Sequence, residues 1–147
     1  MKPAPSGWPR MTSGIYYQDA RAAIDWLCRA FGFDVRLAVD GPDGRIVHSE
    51  LTYGDGVVMV GQEGTDSEER AYKRLARSPR SVGGLHTQGI MVYVDDADAH
   101  CTHARAMGAQ ILKEPETTDY GPEYWADRSY GAADPEGHAW WFAQRVR

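Results

Sequence analysis

The sequence predicts an α+β fold in which tandem βαβββ modules form a curled, cleft-enclosing eight-stranded sheet. Three observations predict it. A strand, an amphipathic helix and a series of hairpin strands occur twice in the same order. The chain matches itself when offset by 76 residues, and glycine-bearing turns punctuate both halves at similar places. Its 147 residues, 42% hydrophobic and 25% charged, suit one structural domain. Within it, residues 1–11 are expected as an irregular arm, 12–61 as the first module, 62–88 as a helical connector and 89–147 as the second module.

Pro3, Pro5 and Pro9 each remove a backbone donor, so the arm has no regular structure to join. A strand is expected around Ser13–Tyr17, and Asp19 is placed to cap a helix. Ala20, Ala23, Ile24, Leu27 and Phe31 then share one helical face, and Gly32 takes the stop position that favours glycine. Val35–Val39 leads into the turn Gly41-Pro42-Asp43-Gly44, where proline presets the backbone. Arg45–Tyr53 leads into Gly54-Asp55-Gly56, whose Asp-Gly pair suits a tight hairpin. Val57–Gly61 is a short apolar run, expected as a strand buried on both faces.

In the connector, Thr65 and Glu68 have capping-box spacing. Acids (Asp66, Glu68, Glu69) precede bases (Lys73, Arg74, Arg77), as a helix dipole prefers, so this charge run reads as a solvated helix rather than a binding patch. The second half restarts with a strand at Gly89–Val94. Asp95 or Asp96 opens a helix through Met107, ended by Gly108. A strand at Gln110–Lys113, a loop at Glu114–Tyr124, a strand at Arg128–Ala132, the turn Asp134-Pro135-Glu136-Gly137 and a last strand at His138–Ala143 complete the module.

The self-match places Ile15–Phe33 on Met91–Ala109. It pairs Tyr17 with Tyr93, Asp19 with Asp95, Ala23 with Ala99, Arg29 with Arg105, Ala30 with Ala106 and Gly32 with Gly108. The two helices can differ by one residue, because Asp96 can equally take the place of Asp19.

Composition excludes several classes. A net charge of -5 supplies no basic face for nucleic acid. No run of about 18 apolar residues is present to span a membrane, and Met1–Arg10 lacks the apolar core of a secretory signal. Cys28 and Cys101 fit neither a disulfide framework nor a zinc cluster, which points to a reduced, cytoplasmic setting. The aromatic set is unusual, with five Trp and eight Tyr against three Phe.

Two stretches, IYYQDARAAIDWLCRAFGF at 15–33 and YWADRSYGAADPEGHAWWFAQ at 124–144, resemble the vicinal oxygen chelate superfamily. That superfamily includes glyoxalase I, bleomycin-resistance proteins, fosfomycin-resistance enzymes and extradiol dioxygenases. The second stretch is similar to the ending of its PhnB-like branch. With GRIVHSELTYGD at 44–55 and VYVDDADAH at 92–100, the resemblance covers nearly all of the chain after Met11. It implies four metal-ligand positions, which fall by offset on Thr12, Val60, Gly89 and Trp141. None can ligate zinc, nickel or iron, and a slip of one residue, to Gln88, rescues nothing. The resemblance therefore implies a metal-free protein with no cofactor, a small-molecule ligand and a homodimeric state.

Alternation along strands indicates which residues face the cleft. Thr12, Gly14 and Tyr16 form one set and Val58, Val60 and Gln62 a second; Gly89, Met91 and Tyr93 form a third, and Ala139, Trp141 and Ala143 a fourth. Ile15, Tyr17, Val92, Val94, Trp140 and Phe142 should lie beneath the helices. Tyr16, Met91, Tyr93 and Trp141 are thus candidate ligand contacts, the rings either stacking on a flat or cationic ligand or filling a collapsed core. Trp125, Asp127 and Arg128 sit at the lip before the seventh strand. Arg128 can bind a ligand carboxylate or phosphate or pair with Asp127 or Glu50. His48 and Glu50 share a strand face and either converge on a ligand or metal or form a hydrogen-bonded structural pair. His100 and His103 have a metal-compatible helical spacing but read as surface residues, and His138 braces the turn before it. No nucleophile, phosphate loop or serine elbow is present.

The expected function is a metal-free small-molecule binding protein of the glyoxalase/bleomycin-resistance type, taking an aromatic or cationic ligand in an aromatic-lined cleft. The alternatives are a metal-dependent lyase, isomerase or dioxygenase using His48 and Glu50 as displaced ligands, and a cofactor-free isomerase.

Overall fold

In the computed structural model, which describes residues 1–147, the chain divides into two units, Met1–Gly83 and Gly84–Arg147. The first contains β1 (Ser13–Tyr17), α1 (Ala20–Phe31), β2 (Asp34–Asp40), β3 (Ile46–Tyr53) and β4 (Gly56–Gln62). A short helix α2 (Ala71–Arg74) and a 3-10 turn at Pro79–Val82 follow in the same unit. The second contains β5 (Gly89–Tyr93), α3 (Ala97–Ala106), β6 (Gln110–Asp119), β7 (Ala126–Ala133) and β8 (Ala139–Arg145). The eight strands are arranged as two four-stranded sheets, ordered β1-β4-β3-β2 and β5-β8-β7-β6. In each, the first strand pairs in parallel with the last, and the remaining pairs are antiparallel.

The capping logic holds in both units. Asp19 accepts from the Ala22 amide at 3.0 Å, and Asp96 from the Ala99 amide at 2.9 Å. Asp96, not Asp95, is therefore the equivalent of Asp19, so the β1 and β5 strands correspond at an offset one residue longer than the self-match gave. Tyr16 becomes the counterpart of Tyr93. Gly32 ends α1 in the left-handed conformation (φ 80°), where a side chain would be strained.

The cores differ in how they are filled. Helix α1 buries Ile24, Trp26, Leu27 and Phe31 against a sheet face carrying Ile15, Tyr17, Leu51, Val58 and Val60. Each such side chain contributes about 1.5–3 kcal/mol through burial. Helix α3 buries only Ala97, Cys101 and Ala104, and the sheet supplies the bulk through fully buried Tyr130, Trp140 and Phe142. His100 is half-buried and packs against that core rather than standing free at the surface. Its ring lies 4.4 Å from Phe142, and its Nδ1 is 2.5 Å from the Tyr130 hydroxyl.

The Asp134–Gly137 turn is built around one buried carboxylate. Asp134 Oδ1 accepts from the amides of Glu136, Gly137 and His138 at 3.0–3.1 Å, while Oδ2 accepts from the Trp140 indole at 3.0 Å. That geometry explains why Asp, Gly and Trp occur together at this spacing.

Three local expectations are corrected. The connector forms no capping box: Thr65 Oγ1 bonds Ser67 Oγ, and α2 begins later, after Arg70, with no side-chain cap. The stretch expected as a loop from Glu114 is largely strand, since β6 runs through Pro115 to Asp119. A register shift between Lys113 and Glu116 accommodates the proline, which cannot donate to a ladder. Val57–Gly61 is buried on one face only, through Val58 and Val60.

Candidate functional site

Residues directly opposite each other in a ladder point to the same face of a sheet, so the register identifies the helix-free face of each unit. In the second unit Gly89 opposes Ala139, Met91 opposes Trp141 and Tyr93 opposes Ala143. Gly131 opposes Trp141 and Asp127 opposes Arg145. Met91, Tyr93 and Trp141 are thus on the helix-free face, with 57%, 46% and 39% of their surface exposed. The opposite set, including Trp140 and Phe142, is buried against α3.

Trp141 is the centre of this face. A Cβ placed on Gly131 would meet three of its ring atoms at 2.8–3.1 Å, so the indole lies over a glycine that leaves room for it. Gly89 flanks the same ring, its Cβ direction 3.5 Å from the indole. Beside it, Asp127 is a buried carboxylate that accepts from Arg145 Nε at 2.5 Å and from the Tyr93 hydroxyl at 3.3 Å. Arg145 also donates to the Tyr93 hydroxyl at 2.6 Å, and its guanidinium lies 4.9 Å from the Trp125 ring centre and 5.4 Å from that of Tyr93. The Asp127 hydrogen bond holds the Arg145 pKa above the ordinary arginine value, so this cation is fixed. The rings of Tyr93 and Trp125 already carry a cation, whereas Trp141 carries none from the protein.

In the first unit Gly14 opposes Met59, Tyr16 opposes Gly61 and Glu50 opposes Met59. Tyr16 covers Gly61 as Trp141 covers Gly131: a Cβ there would meet the phenol ring at 3.3 Å. On β4 the expected alternation is reversed. Val58, Val60 and Gln62 share the helix side with Ile15 and Tyr17, and Met59 and Gly61 take the other face. The hairpin explains the reversal. Tyr53 opposes Gly56, so Gly54 and Asp55 are the central turn residues, with Gly54 at φ 57°, and this turn dictates the parity of the strand it leads into.

His48 and Glu50 lie on this same face as a hydrogen-bonded pair. His48 Nε2 donates to Glu50 Oε1 at 2.9 Å, and Arg36 Nε donates to Glu50 Oε2 at 2.7 Å. The His48 hydrogen bond, and then Arg36, hold the Glu50 carboxyl below its ordinary value of 4.5 against the opposing effect of burial. Arg36 in turn donates to the Gly7 carbonyl and sits 4.4 Å beneath the Trp8 ring, so the arm rests on this face.

Arg128 is placed elsewhere. It opposes Gln144, whose side chain reaches the start of α3, and it clamps Asp98 of α3 through Nε and Nη2, the latter at 2.7 Å. It pairs with neither Asp127 nor Glu50 and is on the helix side of the sheet. Sequence reasoning does not single out Arg36, Arg145 or Trp8, and it sets Asp127 at the lip as a partner for Arg128, whereas parity counted back from Trp141 along β7 and β8 pairs it with Arg145.

The residues do not fit a transition metal. The ligand positions implied by the resemblance carry Thr12, Gly89, Trp141 and, with the corrected parity, Met59 or Gly61 in place of Val60. In neither unit do three or more His, Cys, Asp or Glu side chains converge as a metal site. His48 is bonded to Glu50, and Glu50 in turn to Arg36.

The family model for the Glyoxalase/Bleomycin resistance protein/Dioxygenase superfamily matches residues 11–142. The uncharacterized protein Mb0911c of Mycobacterium bovis is 31% identical over 139 residues, spanning 95% of this chain and 85% of that protein. TioX from Micromonospora sp. ML1 is 30% identical with a TM-score of 0.68, covering 95% of this chain and all (100%) of TioX. TnmS3 from Streptomyces sp. CB03234, described as an antibiotic binding protein, shares the fold at 18% identity and a TM-score of 0.65, covering 92% of this chain and 93% of its own.

Proposed function

Because the chain belongs to the Glyoxalase/Bleomycin resistance protein/Dioxygenase superfamily, we propose that it is a small-molecule binding protein with no resident metal, taking an aromatic or cationic ligand on an aromatic surface. One observation carries this reading. Trp141 stands where the family resemblance places a metal-ligating carboxylate, its part-exposed ring seated on Gly131 and flanked by Gly89, on the sheet face that also carries Met91 and Tyr93. A planar ring or a cation gains most on an indole face that no other cation occupies. Tyr16, seated on Gly61, offers a second such ring in the first unit. An antibiotic binding protein of the same fold is consistent with this class of ligand, the likeness being one of fold.

The same reading places the protein in the cytoplasm, its two cysteines both unpaired, and makes it a dimer, since exposed Met91, Trp125 and Trp141 gain from being covered. The ending built on Asp134, Gly137 and Trp140 supports the PhnB-like branch. A metal-dependent lyase, isomerase or dioxygenase draws no support from His48 and Glu50, whose facing atoms are already engaged.

A thermal-shift screen of anthracycline-like, bleomycin-like and simple aromatic cations tests the proposal. A ligand at about 100 times its Kd adds roughly 2.7 kcal/mol, which for a domain of this size raises Tm by roughly 5–10 °C. Trp141→Ala should weaken the binding about three- to tenfold, while Arg128→Ala, on the other face, leaves it unchanged. A hit whose affinity is indifferent to Trp141, or a stoichiometric metal in the purified protein that is lost in His48→Ala, would overturn the reading.

A further inference from the structure

The N-terminal arm is not an idle tail. Residues Pro5–Trp8 close a turn in which the Trp8 amide donates to the Pro5 carbonyl at 3.0 Å, with Gly7 at φ 75° in the position that demands glycine. This turn delivers two groups to Arg36 together: the Gly7 carbonyl onto Nη1, and the Trp8 indole over the guanidinium plane at 4.4 Å. Arg36 is itself held in place from behind, because Nε is bonded to Glu50 and Glu50 to His48.

The fit under the arm is incomplete. The two buried side-chain polar atoms without a hydrogen-bond partner are Arg36 Nη2 and Thr12 Oγ1. Both belong to this region, Thr12 lining a recess of about 430 Å³ with Pro3, Pro5, Trp8 and Arg10. A buried donor left unmade opposes the contact that buries it, so the seat is pre-organised while its cover is poorly satisfied.

We propose that Arg36, held by Glu50 and His48, is a second ligand-binding site, and that the Gly7–Trp8 segment occupies it as an internal stand-in. The ligand class follows from what the arm presents: a planar aromatic ring tethered by a short flexible chain to a carbonyl oxygen. Such a molecule places its ring on the guanidinium face and its oxygen on the Nη1–Nη2 edge, where it can also satisfy the donor that the arm leaves orphaned. The arm then acts as a strap. Apparent affinity is reduced by the fraction of molecules in which the arm is docked, so weakening the arm strengthens the ligand. This site is built from residues of the first unit alone.

The test is a titration of the full-length protein with N-acetyltryptamine, which reproduces the covalent path from the Gly7 carbonyl to the Trp8 ring, and with tryptamine, which lacks the carbonyl. Trp8→Ala should bind N-acetyltryptamine about three- to tenfold more tightly than the native chain, with tryptamine showing no gain. Arg36→Lys in the Trp8→Ala background keeps a cation for Glu50 but removes the fork, and should abolish the gain. Trp141→Ala in that background should leave it intact. Equal or weaker binding by Trp8→Ala, an equal gain for tryptamine, or a gain that survives Arg36→Lys overturns the proposal. A gain lost with Trp141→Ala overturns it too, while leaving the aromatic surface of the second unit standing.

Discussion

Trp141 and Gly131 face each other across adjacent strands, and the indole of one occupies the space that a side chain on the other would need. The glycine is there for its missing Cβ, not for a special backbone angle, since its φ is not positive.

Gly131→Ala is therefore a clean displacement of the ring. The new methyl would lie 2.8 Å from the indole, and overpacking of this kind typically costs about 1–3 kcal/mol. Because Trp141 is part-exposed, it can swing outward, which places the cost at the lower end. Urea denaturation should show a loss of about 1 kcal/mol, and ligand affinity should fall as it does for Trp141→Ala. Unchanged affinity would mean that the ring's position on the sheet is immaterial to binding.

Asp134 organises the closing turn of the second unit. Asp134→Ala removes the side-chain acceptor of the Glu136 and His138 amides and of the buried Trp140 indole, while the Gly137 amide keeps the Asp134 backbone carbonyl. At about 1–3 kcal/mol for each buried group left unpaired, with water reaching the turn amides, a loss of about 3–5 kcal/mol is expected by chemical denaturation. Asp134→Asn retains one carbonyl acceptor and should recover part of that loss. A variant as stable as the native chain would show that the turn forms without the carboxylate.

Glu50 makes stability depend on pH in a defined direction. Its carboxyl is held below 4.5 by His48 and Arg36 in the folded protein, so the unfolded chain takes up its proton first as the solution is acidified. The stabilisation is fully present above that ordinary value and is lost as pH falls through the lowered one. Denaturation midpoints measured down the acid range should fall more steeply for the native chain than for Glu50→Gln, which has no such carboxylate to protonate. Parallel slopes for the two proteins would contradict the geometry around Glu50.

Several local rules written in the sequence are carried out in the structure, although the Thr65–Glu68 capping box is not. Asp19, Asp96, Gly32 and the Asp134 turn act as their chemistry dictates, because capping and turn formation involve only neighbours along the chain. Alternation on β1, β5 and β8 identified the faces of Tyr16, Met91, Tyr93 and Trp141. It failed on β4, where Val57, Val58, Met59 and Val60 are all apolar and the pattern carries no parity of its own. There the hairpin register decided, through a turn centred on Gly54 and Asp55 rather than Asp55 and Gly56.

The sequence by itself thus determined the two βαβββ units, most of their caps and turns, and an aromatic ring, Trp141, where the family resemblance implies a metal-ligating carboxylate. Only the tertiary structure decided the partnerships: Arg128 with Asp98, Arg145 with Asp127 and Tyr93, His48 with Glu50 and Arg36, and Trp8 over Arg36. The physical reason is range. A cap or a turn is settled within a few residues, but a long cationic side chain can reach any acceptor that folding brings near. Which one it reaches depends on sheet order and register, and those are set by the packing of residues far apart in the chain.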